Sequence, residues 1–211
     1  MLSEPTSLAT FLAHLQRVAL IARLRSDLRV QELIEIGDAL LAAPVFLVEV
    51  AVDVADGLAT IGEFRQRYGD HLLVGAAAVT TLAQLRAAVA VGAHFFAMPT
   101  LDAKLLRFGR EQGLFCLPHI SAPVEARLAH LEGCPAVSTT ATDLFTYPAE
   151  QWPATVAIIA SDVEDGATVA ACRVAGAAGV RLDSALLPTT DWSHAEIITR
   201  ARQLRRSWEG R

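Results

Sequence analysis

Lysine is almost absent from this chain. Of its 211 residues, Lys104 is the only lysine, whereas seventeen are arginines. An arginine guanidinium stays protonated and cannot attack a carbonyl, so a reaction that needs a lysine amine as nucleophile depends on Lys104 alone. The surrounding segment DAKLLRFGRE is predicted to form a helix, with Asp102 as its N-cap and Gly113 after its end.

Other absences narrow the class of protein. Cys116, Cys134 and Cys172 form no CxxC or Cys/His spacing, which argues against a zinc motif and a disulfide framework. No run reaches about 18 apolar residues, and the N-terminus lacks the basic segment of a secretory signal. The net charge is −5 and the basic residues are scattered, unlike a nucleic-acid surface. We therefore expect a cytoplasmic protein with no membrane or nucleic-acid partner.

The segment Val45–Asp53 (VFLVEVAVD) is central to the fold that the sequence predicts. It is a run of apolar and β-branched residues with one carboxylate, Glu49, in its middle. Such a run is typical of a strand buried on both faces. A charge in a buried strand is costly unless it is paired or has a use. Glu49 is therefore either a functional carboxylate or a structural one held by an arginine or by backbone N–H groups.

Short apolar runs alternate along the chain with amphipathic runs of helical length, which predicts repeated β–α units and a parallel sheet. About eight such units follow a leading helix at Ser7–Gln16. The pattern predicts a single α/β domain over residues 1–211, a (β/α)8 TIM barrel with an N-terminal helix. The alternative, an open doubly wound sheet, would carry a glycine-rich turn after its first strand. The turn here, RSDLRV, has no glycine.

Segments along nearly the whole chain resemble the 2-keto-3-deoxy-6-phosphogluconate (KDPG) and 4-hydroxy-2-oxoglutarate (KHG) aldolases. The resemblance is carried by LIARLR at Leu20–Arg25, EIGDALLAA at Glu35–Ala43, LVEVAVD at Leu47–Asp53, YGDHLLVGAAAVTTLAQL from Tyr68, AMPTLD at Ala97–Asp102, PHISAPVEA at Pro118–Ala126 and GAAGVRLDSALLP at Gly176–Pro188.

The resemblance implies a homotrimeric barrel that cleaves 2-oxo-3-deoxy acids to pyruvate and an aldehyde. In that family a strand-six lysine forms a Schiff base with the 2-oxo group, and a strand-two carboxylate moves protons. Glu49 matches that carboxylate, and Arg25 matches a first-strand arginine that faces substrate in some members.

The lysine itself is missing from the expected place. Matching Ala136–Val137 to the family pattern puts Ser138 at the lysine position, whereas matching Leu144–Phe145 puts Asp143 there. Neither residue can form an imine. Lys104 is expected on an outer helix and does not replace it.

Other positions of the family's pocket also differ. Asp53 replaces an arginine that would hold a carboxylate, Ala78 replaces a threonine, and His119 replaces the glycine of a P-G pair. The glycines that would bind phosphate are missing as well: the turn after strand seven is Ala160–Ser161–Asp162–Val163, and the matching part of strand eight is Arg181–Leu182–Asp183–Ser184. Carboxylates here repel a phosphate dianion, so phosphate is not expected in the family's pose.

Polar residues remain at predicted carboxyl ends of strands, where barrel sites are built. We expect Glu49 to be the catalytic carboxylate of any remaining activity. The expected substrate-binding residues are Arg25, Asp53, His119, Ser161, Asp162, Arg181, Asp183 and Ser184.

The acidic residues of this set allow two interpretations. In one, Glu49, Asp53, His119 and Asp162 or Asp183 hold a divalent cation, although no ligand spacing supports a metal. In the other, the acids pair with Arg25 and Arg181 and fill the former pocket. We predict no metal and no cofactor.

Two classes of function follow from these residues. The first is a barrel that has lost Schiff-base chemistry and binds a small 2-oxo acid, another small carboxylate or a protein partner. The second is a working carbon–carbon lyase that uses Glu49 by a route without an imine.

Overall fold

The computed structural model describes residues 8–24, 28–187 and 193–211. Their parallel strands alternate with helices around a nearly closed barrel, which confirms the predicted (β/α)8 TIM barrel and its leading helix. None of the described helices is both long and apolar enough to cross a membrane. The strands are β1 (Leu20–Leu24), β2 (Leu47–Ala51), β3 (Leu73–Ala77), β4 (Phe95–Met98), β5 (Phe115–Pro118), β6 (Ala136–Thr140), β7 (Ala157–Ser161) and β8 (Gly179–Leu182).

Each strand is followed by a helix that runs back along the outside of the barrel, and one further helix precedes the first strand. The helices are α1 (Leu8–Val18), α2 (Val30–Ala42), α3 (Gly57–Tyr68), α4 (Leu82–Ala90), α5 (Ala103–Glu111), α6 (Pro123–Leu131), α7 (Ala141–Thr146), α8 (Gly166–Val174) and α9 (His194–Glu209). Their starts follow ordinary capping chemistry. Asp102 accepts hydrogen bonds from two backbone amides of α5, and Ser193 accepts one from Glu196 in α9.

The residue pattern predicts an eighth strand over Gly179–Leu187 and an irregular segment over Thr142–Pro153, and the structure differs at both. Strand β8 ends at Leu182, because the amides of Leu186 and Leu187 turn back to the carbonyl of Asp183. The segment after β6 begins with the short helix α7. Thr140 caps this helix through a hydrogen bond from the Asp143 amide.

The sheet has a seam between β5 and β6. The strand order is β5-β4-β3-β2-β1-β8-β7-β6, so these two strands are its edges. They are joined by a single bridge between His119 and Ser138, with the Ile120 amide donating to the Ser138 carbonyl at 2.8 Å. Near this seam the thiols of Cys116 and Cys134 are hydrogen-bonded to each other, although 17 residues separate them in the sequence.

Helix α1 closes the N-terminal end of the barrel. Phe11 stacks on Phe115 with ring centroids 4.4 Å apart and meets the edge of Phe95 at 5.2 Å. Leu15 lies against the start of β8, where a Cβ on Gly179 would come within 2.5 Å of its Cδ1, so only glycine fits. An aromatic and aliphatic floor therefore fills this end, and the opposite end is left for a site.

Side chains inside the barrel change from apolar to polar toward the carboxyl ends of the strands. Successive inward residues of a strand are two apart. The first inward residue of four strands lies in the apolar floor: Ile21, Leu47, Ala136 and Ile159. The next inward residue of the same strands is polar: Arg23, Glu49, Ser138 and Ser161. The barrel thus places a polar layer directly above an apolar one.

At the N-terminal end, His94 is buried and must stay neutral. Its Nδ1 accepts a hydrogen bond from the Val74 amide at 2.9 Å, and its Nε2 lies 2.5 Å from Nη1 of Arg65 and 3.2 Å from the carboxylate of Asp70. Burial lowers the pKa of His94, and the nearby Arg65 guanidinium lowers it further, while Asp70 opposes the shift.

We expect stability to fall as the pH drops from 7 toward 5, because the lowered pKa of folded His94 makes the unfolded chain take up a proton at a higher pH than the folded chain does. The loss begins near the unfolded pKa of about 6.5 and has a slope of up to about 1.4 kcal/mol per pH unit for one histidine. His94→Asn, which keeps an acceptor for Val74, should reduce this slope in urea unfolding measured at several pH values. His130→Gln, at an exposed position, is the control. An unchanged slope in His94→Asn would contradict the assignment.

Candidate functional site

A cavity of about 240 Å³ opens at the carboxyl end of the barrel. Its floor is made of small or apolar residues from β3 and β4, and its polar groups come from β1, the seam, β7 and β8. Parallel strands of a barrel all end at this face, which is why residues distant in sequence meet here. The lining residues are Arg23, Ala77, Ala78, Ala97, Met98, Pro99, His119, Ser161, Asp162 and Arg181.

A buried ion pair lies inside the barrel at this level. Nη1 of Arg181 on β8 is 3.4 Å from Oε2 of Glu49 on β2, and the two side chains are 10% and 0% exposed. The other carboxylate oxygen, Oε1, has no hydrogen-bond partner among the described residues. The predicted structural role of Glu49, pairing with an arginine, therefore matches its geometry, and Arg181 links it to the cavity.

The cavity contains a second guanidinium, that of Arg23, which was not among the predicted site residues. Arg23 lies opposite Glu49 in the register of β1 and β2 and lines the cavity. Motif matching selected Arg25, which lies outside the described residues. Side chains of a strand alternate between its two faces, so Arg23 lies on the same inward face of β1 as the floor residue Ile21. This alternation along LIARL predicts Arg23 as a residue of the barrel interior.

His119 and Ser138 meet across the seam. The imidazole Nδ1 of His119 is 3.3 Å from Oγ of Ser138, and the serine is completely buried on β6. Burial lowers the pKa of His119, and the positive charge of Arg181 lowers it further; Asp162, Asp143 and Glu125 act in the opposite direction. His119 is therefore neutral at pH 7, and its ring borders the cavity.

Ser161 and Asp162 border the cavity at the end of β7. The hydroxyl of Ser161 donates to the carbonyl of Thr139 at 3.1 Å, which ties β7 to β6. Asp162 is exposed and has a positive φ of 56°, a conformation that aspartate tolerates better than most residues. Its carboxylate therefore stands at the rim and not in the interior.

Four other predicted site residues do not line this cavity. Asp53 and Ser184 are exposed beyond the ends of β2 and β8, and Asp183 is half-buried after β8. Asp143 lies in the first turn of α7, where its carboxylate accepts a hydrogen bond from the Thr140 hydroxyl at 2.8 Å.

The only lysine lies on the outer layer. Lys104 is exposed in the first turn of α5, which agrees with the prediction of an outer helix. It is not among the residues that line the cavity.

The hypothesised cation site is not supported by the geometry. Within residues 8–24, 28–187 and 193–211, no three His, Cys, Asp or Glu side chains are grouped so that they could hold a metal ion. Glu49 is held by Arg181, whereas Asp53 and Asp162 are exposed. The chemistry that the described residues offer is anion binding by two guanidinium groups and proton transfer by a neutral imidazole or a carboxylate.

The model of the KDPG and KHG aldolase family matches residues 12–171 of this chain. No curated protein sequence is significantly similar to it.

Solved structures of low sequence identity share its fold. A native KDPGal structure superposes with a TM-score of 0.82 at 23% identity, covering 90% of this chain and 94% of the other. The 2-keto-3-deoxy-6-phosphogluconate aldolase of Zymomonas mobilis gives 0.78 at 19%, with 91% and 95% covered. The 3-hexulose-6-phosphate synthase of Salmonella typhimurium gives 0.74 at 17%, with 91% and 99% covered.

Removing one member of the buried ion pair should be costly. Arg181→Met leaves the Glu49 carboxylate buried without its cation, and we expect a loss of about 3–5 kcal/mol in the free energy of unfolding, measured in urea at pH 7. The double variant Glu49→Gln/Arg181→Met should recover part of the loss, since no lone charge remains.

Arg205→Met provides the matched control. Arg205 pairs with Glu209 along the partly exposed face of α9 at 2.9 Å, and its loss should cost no more than about 0.5 kcal/mol. Equal costs for the two arginine variants would contradict the importance of the buried pair.

Proposed function

The chain belongs to the KDPG and KHG aldolase family, and from this premise we propose that it has lost Schiff-base chemistry and binds a small carboxylate, a 2-oxo acid above all, at the mouth of its barrel. The observation that carries the proposal is the composition of the cavity wall. Two arginines and a neutral histidine line it, whereas the single lysine is exposed on α5.

The proposed loss of Schiff-base chemistry is supported by the residue on β6 and by the position of the only lysine. An imine requires a neutral amine at the 2-oxo carbon. On β6, where the family places its lysine, the inward residue of this chain is the buried Ser138. A serine hydroxyl cannot form an imine, and Lys104 is not part of the cavity wall.

The charges at the mouth support a carboxylate ligand. Glu49 pairs with Arg181, whereas Arg23 has no ion-pair partner among the described residues, so its guanidinium can bind an anion. Guanidinium groups bind carboxylates through paired N–H donors. A volume of about 240 Å³ suits a small acid. A phosphate dianion is less suited to this cavity, because Asp162 stands at the rim where the family would bind phosphate.

A homotrimer remains part of the proposal. Family membership is its main support, together with an apolar stripe on the outside of α6. Val124, Leu128 and Leu131 are spaced four and three residues apart, and are 55%, 50% and 80% exposed. Such a stripe suits contact with a second copy or with another protein. The molar mass in solution, measured by light scattering, distinguishes a trimer from a monomer.

A second candidate function is cleavage of a carbon–carbon bond in a 2-oxo acid without an imine. It is favoured by Glu49, whose Oε1 lacks a partner among the described residues and which matches the family's proton-transfer carboxylate. Release of pyruvate from 4-hydroxy-2-oxoglutarate above a heat-killed control would support this lyase and contradict a function limited to binding. Sensitivity of that release to EDTA would support metal assistance.

We expect no covalent adduct when the protein is incubated with pyruvate and sodium borohydride and then weighed by mass spectrometry. Borohydride reduces an imine to a stable amine, so an imine formed on a lysine would appear as added mass. Lys104→Arg is the control, since it removes the only lysine side-chain amine. An adduct that forms in the unaltered protein and disappears in Lys104→Arg would overturn the proposal.

Pyruvate should raise the melting temperature of the protein, and inorganic phosphate should raise it less. A ligand at 100 times its Kd stabilises the native state by about 2.7 kcal/mol, which corresponds to several degrees for a chain of this size. Arg23→Gln should reduce the shift, whereas Arg205→Met on α9 should leave it unchanged. Equal shifts in both variants would contradict binding at the barrel mouth.

A further inference from the structure

His119 occupies a position in which a base could reach a bound ligand. It follows β5 at the seam, it lines the cavity, and its Nδ1 is 3.3 Å from the Ser138 hydroxyl. Ser138 is the only hydrogen-bonding partner that the described part of the chain gives to this ring. When Nδ1 donates to Ser138 Oγ, Nε2 is left unprotonated and can accept a proton.

The charges around His119 favour its neutral form. Burial lowers the pKa of the imidazole, and Arg181 on β8 adds to this effect. Three carboxylates oppose it: Asp162 after β7, Asp143 on α7 and Glu125 on α6. The net direction is downward, so the ring is a free base at pH 7.

Glu49 is less well placed for proton transfer than His119. Its side chain is 0% exposed and forms an ion pair with Arg181, and it is not among the residues that line the cavity. Arg181 connects the two acid–base groups, because it holds Glu49 and also borders the cavity beside His119.

From this geometry we propose that His119, oriented by Ser138, is the proton-transfer residue of the barrel mouth and acts on the carbon next to the carbonyl of a bound 2-oxo acid. The inference rests on the proposed function, because the acid must first bind between Arg23 and Arg181. Ser138 is a positioning residue, and Glu49 positions Arg181.

The step is balanced without any co-reactant. Nε2 of His119 takes a proton from C3 of the 2-oxo acid, the C–H electron pair forms a C2–C3 double bond, and the carbonyl pair moves to oxygen. The Arg181 guanidinium, which borders the cavity, stabilises the negative charge of the enolate oxygen. The imidazolium then returns a proton to C3. In deuterated water the ring exchanges its proton with solvent and returns a deuteron.

The experiment follows the pyruvate methyl signal by NMR in D2O with the intact protein. We expect exchange of methyl protons for deuterium at least tenfold faster than in buffer. His119→Gln should reduce the exchange to the rate in buffer, since a positioned base contributes about 10²–10⁴-fold. Imidazole added to His119→Ala should restore part of the rate, which a purely structural role of His119 would not explain.

The pH profile provides an independent readout. The rate should be level around pH 7 and fall as the pH drops below the usual histidine value of about 6.5, because the protonated ring cannot act as a base. Ser138→Ala should shift this profile. His71→Gln, an exposed residue at the other end of the barrel, should leave both rate and profile unchanged.

The outcomes separate this inference from the function on which it rests. If pyruvate raises the melting temperature but no exchange occurs, or if exchange persists in His119→Gln, the role of His119 is refuted and carboxylate binding stands. If pyruvate does not bind, both fail. If exchange disappears in Lys104→Arg and borohydride traps an adduct, the chemistry proceeds through an imine and the proposed loss of that chemistry is wrong.

Discussion

A carboxylate and a guanidinium share the inside of the barrel with very little access to water. Glu49 is 0% exposed, Arg181 is 10% exposed, and 3.4 Å separates their nearest charged atoms. Either charge alone would be strongly unfavourable in this position, so each makes the other tolerable. The pair connects β2 with β8 across β1, and it therefore depends on the pairing of the last strand with the first. The polar layer above the floor depends on this pairing.

The pairing of Glu49 with Arg181 also determines which charged groups border the cavity at the barrel mouth. Glu49 neutralises Arg181 within the interior, whereas the described part of the chain gives Arg23 no ion-pair partner. Engaged in this way, Glu49 is not among the residues that line the cavity. The neutral His119 at the seam borders that surface instead. The scaffold of the family is therefore compatible with the proposed proton-transfer group at the seam between β5 and β6.

Much of the fold could be predicted from hydrophobic periodicity, and less of the site could. The run around Glu49 was correctly predicted to be a buried strand, because apolar residues occupy both of its faces. Arg23 was not predicted, although it lies two residues after Ile21 and therefore shares its face of β1. The family motif pointed instead to Arg25, two residues further along the chain. Asp53 and Ser184 were expected in the pocket but are exposed, because the chain can turn in many directions once a strand has ended. The contact of His119 with Ser138 links residues 19 positions apart and depends on how the sheet closes.

The sequence by itself determined the alternation of strands and helices, the membership of a barrel class and the scarcity of lysine, because these depend on local pattern and composition. Only the tertiary structure decided which polar residues meet. The pairing of β8 with β1 brings Arg181 to Glu49, and closure of the sheet between β5 and β6 brings His119 to Ser138. Such contacts depend on strand register and barrel closure, and these are set by the packing of the whole chain around the floor built on Phe11 and Leu15.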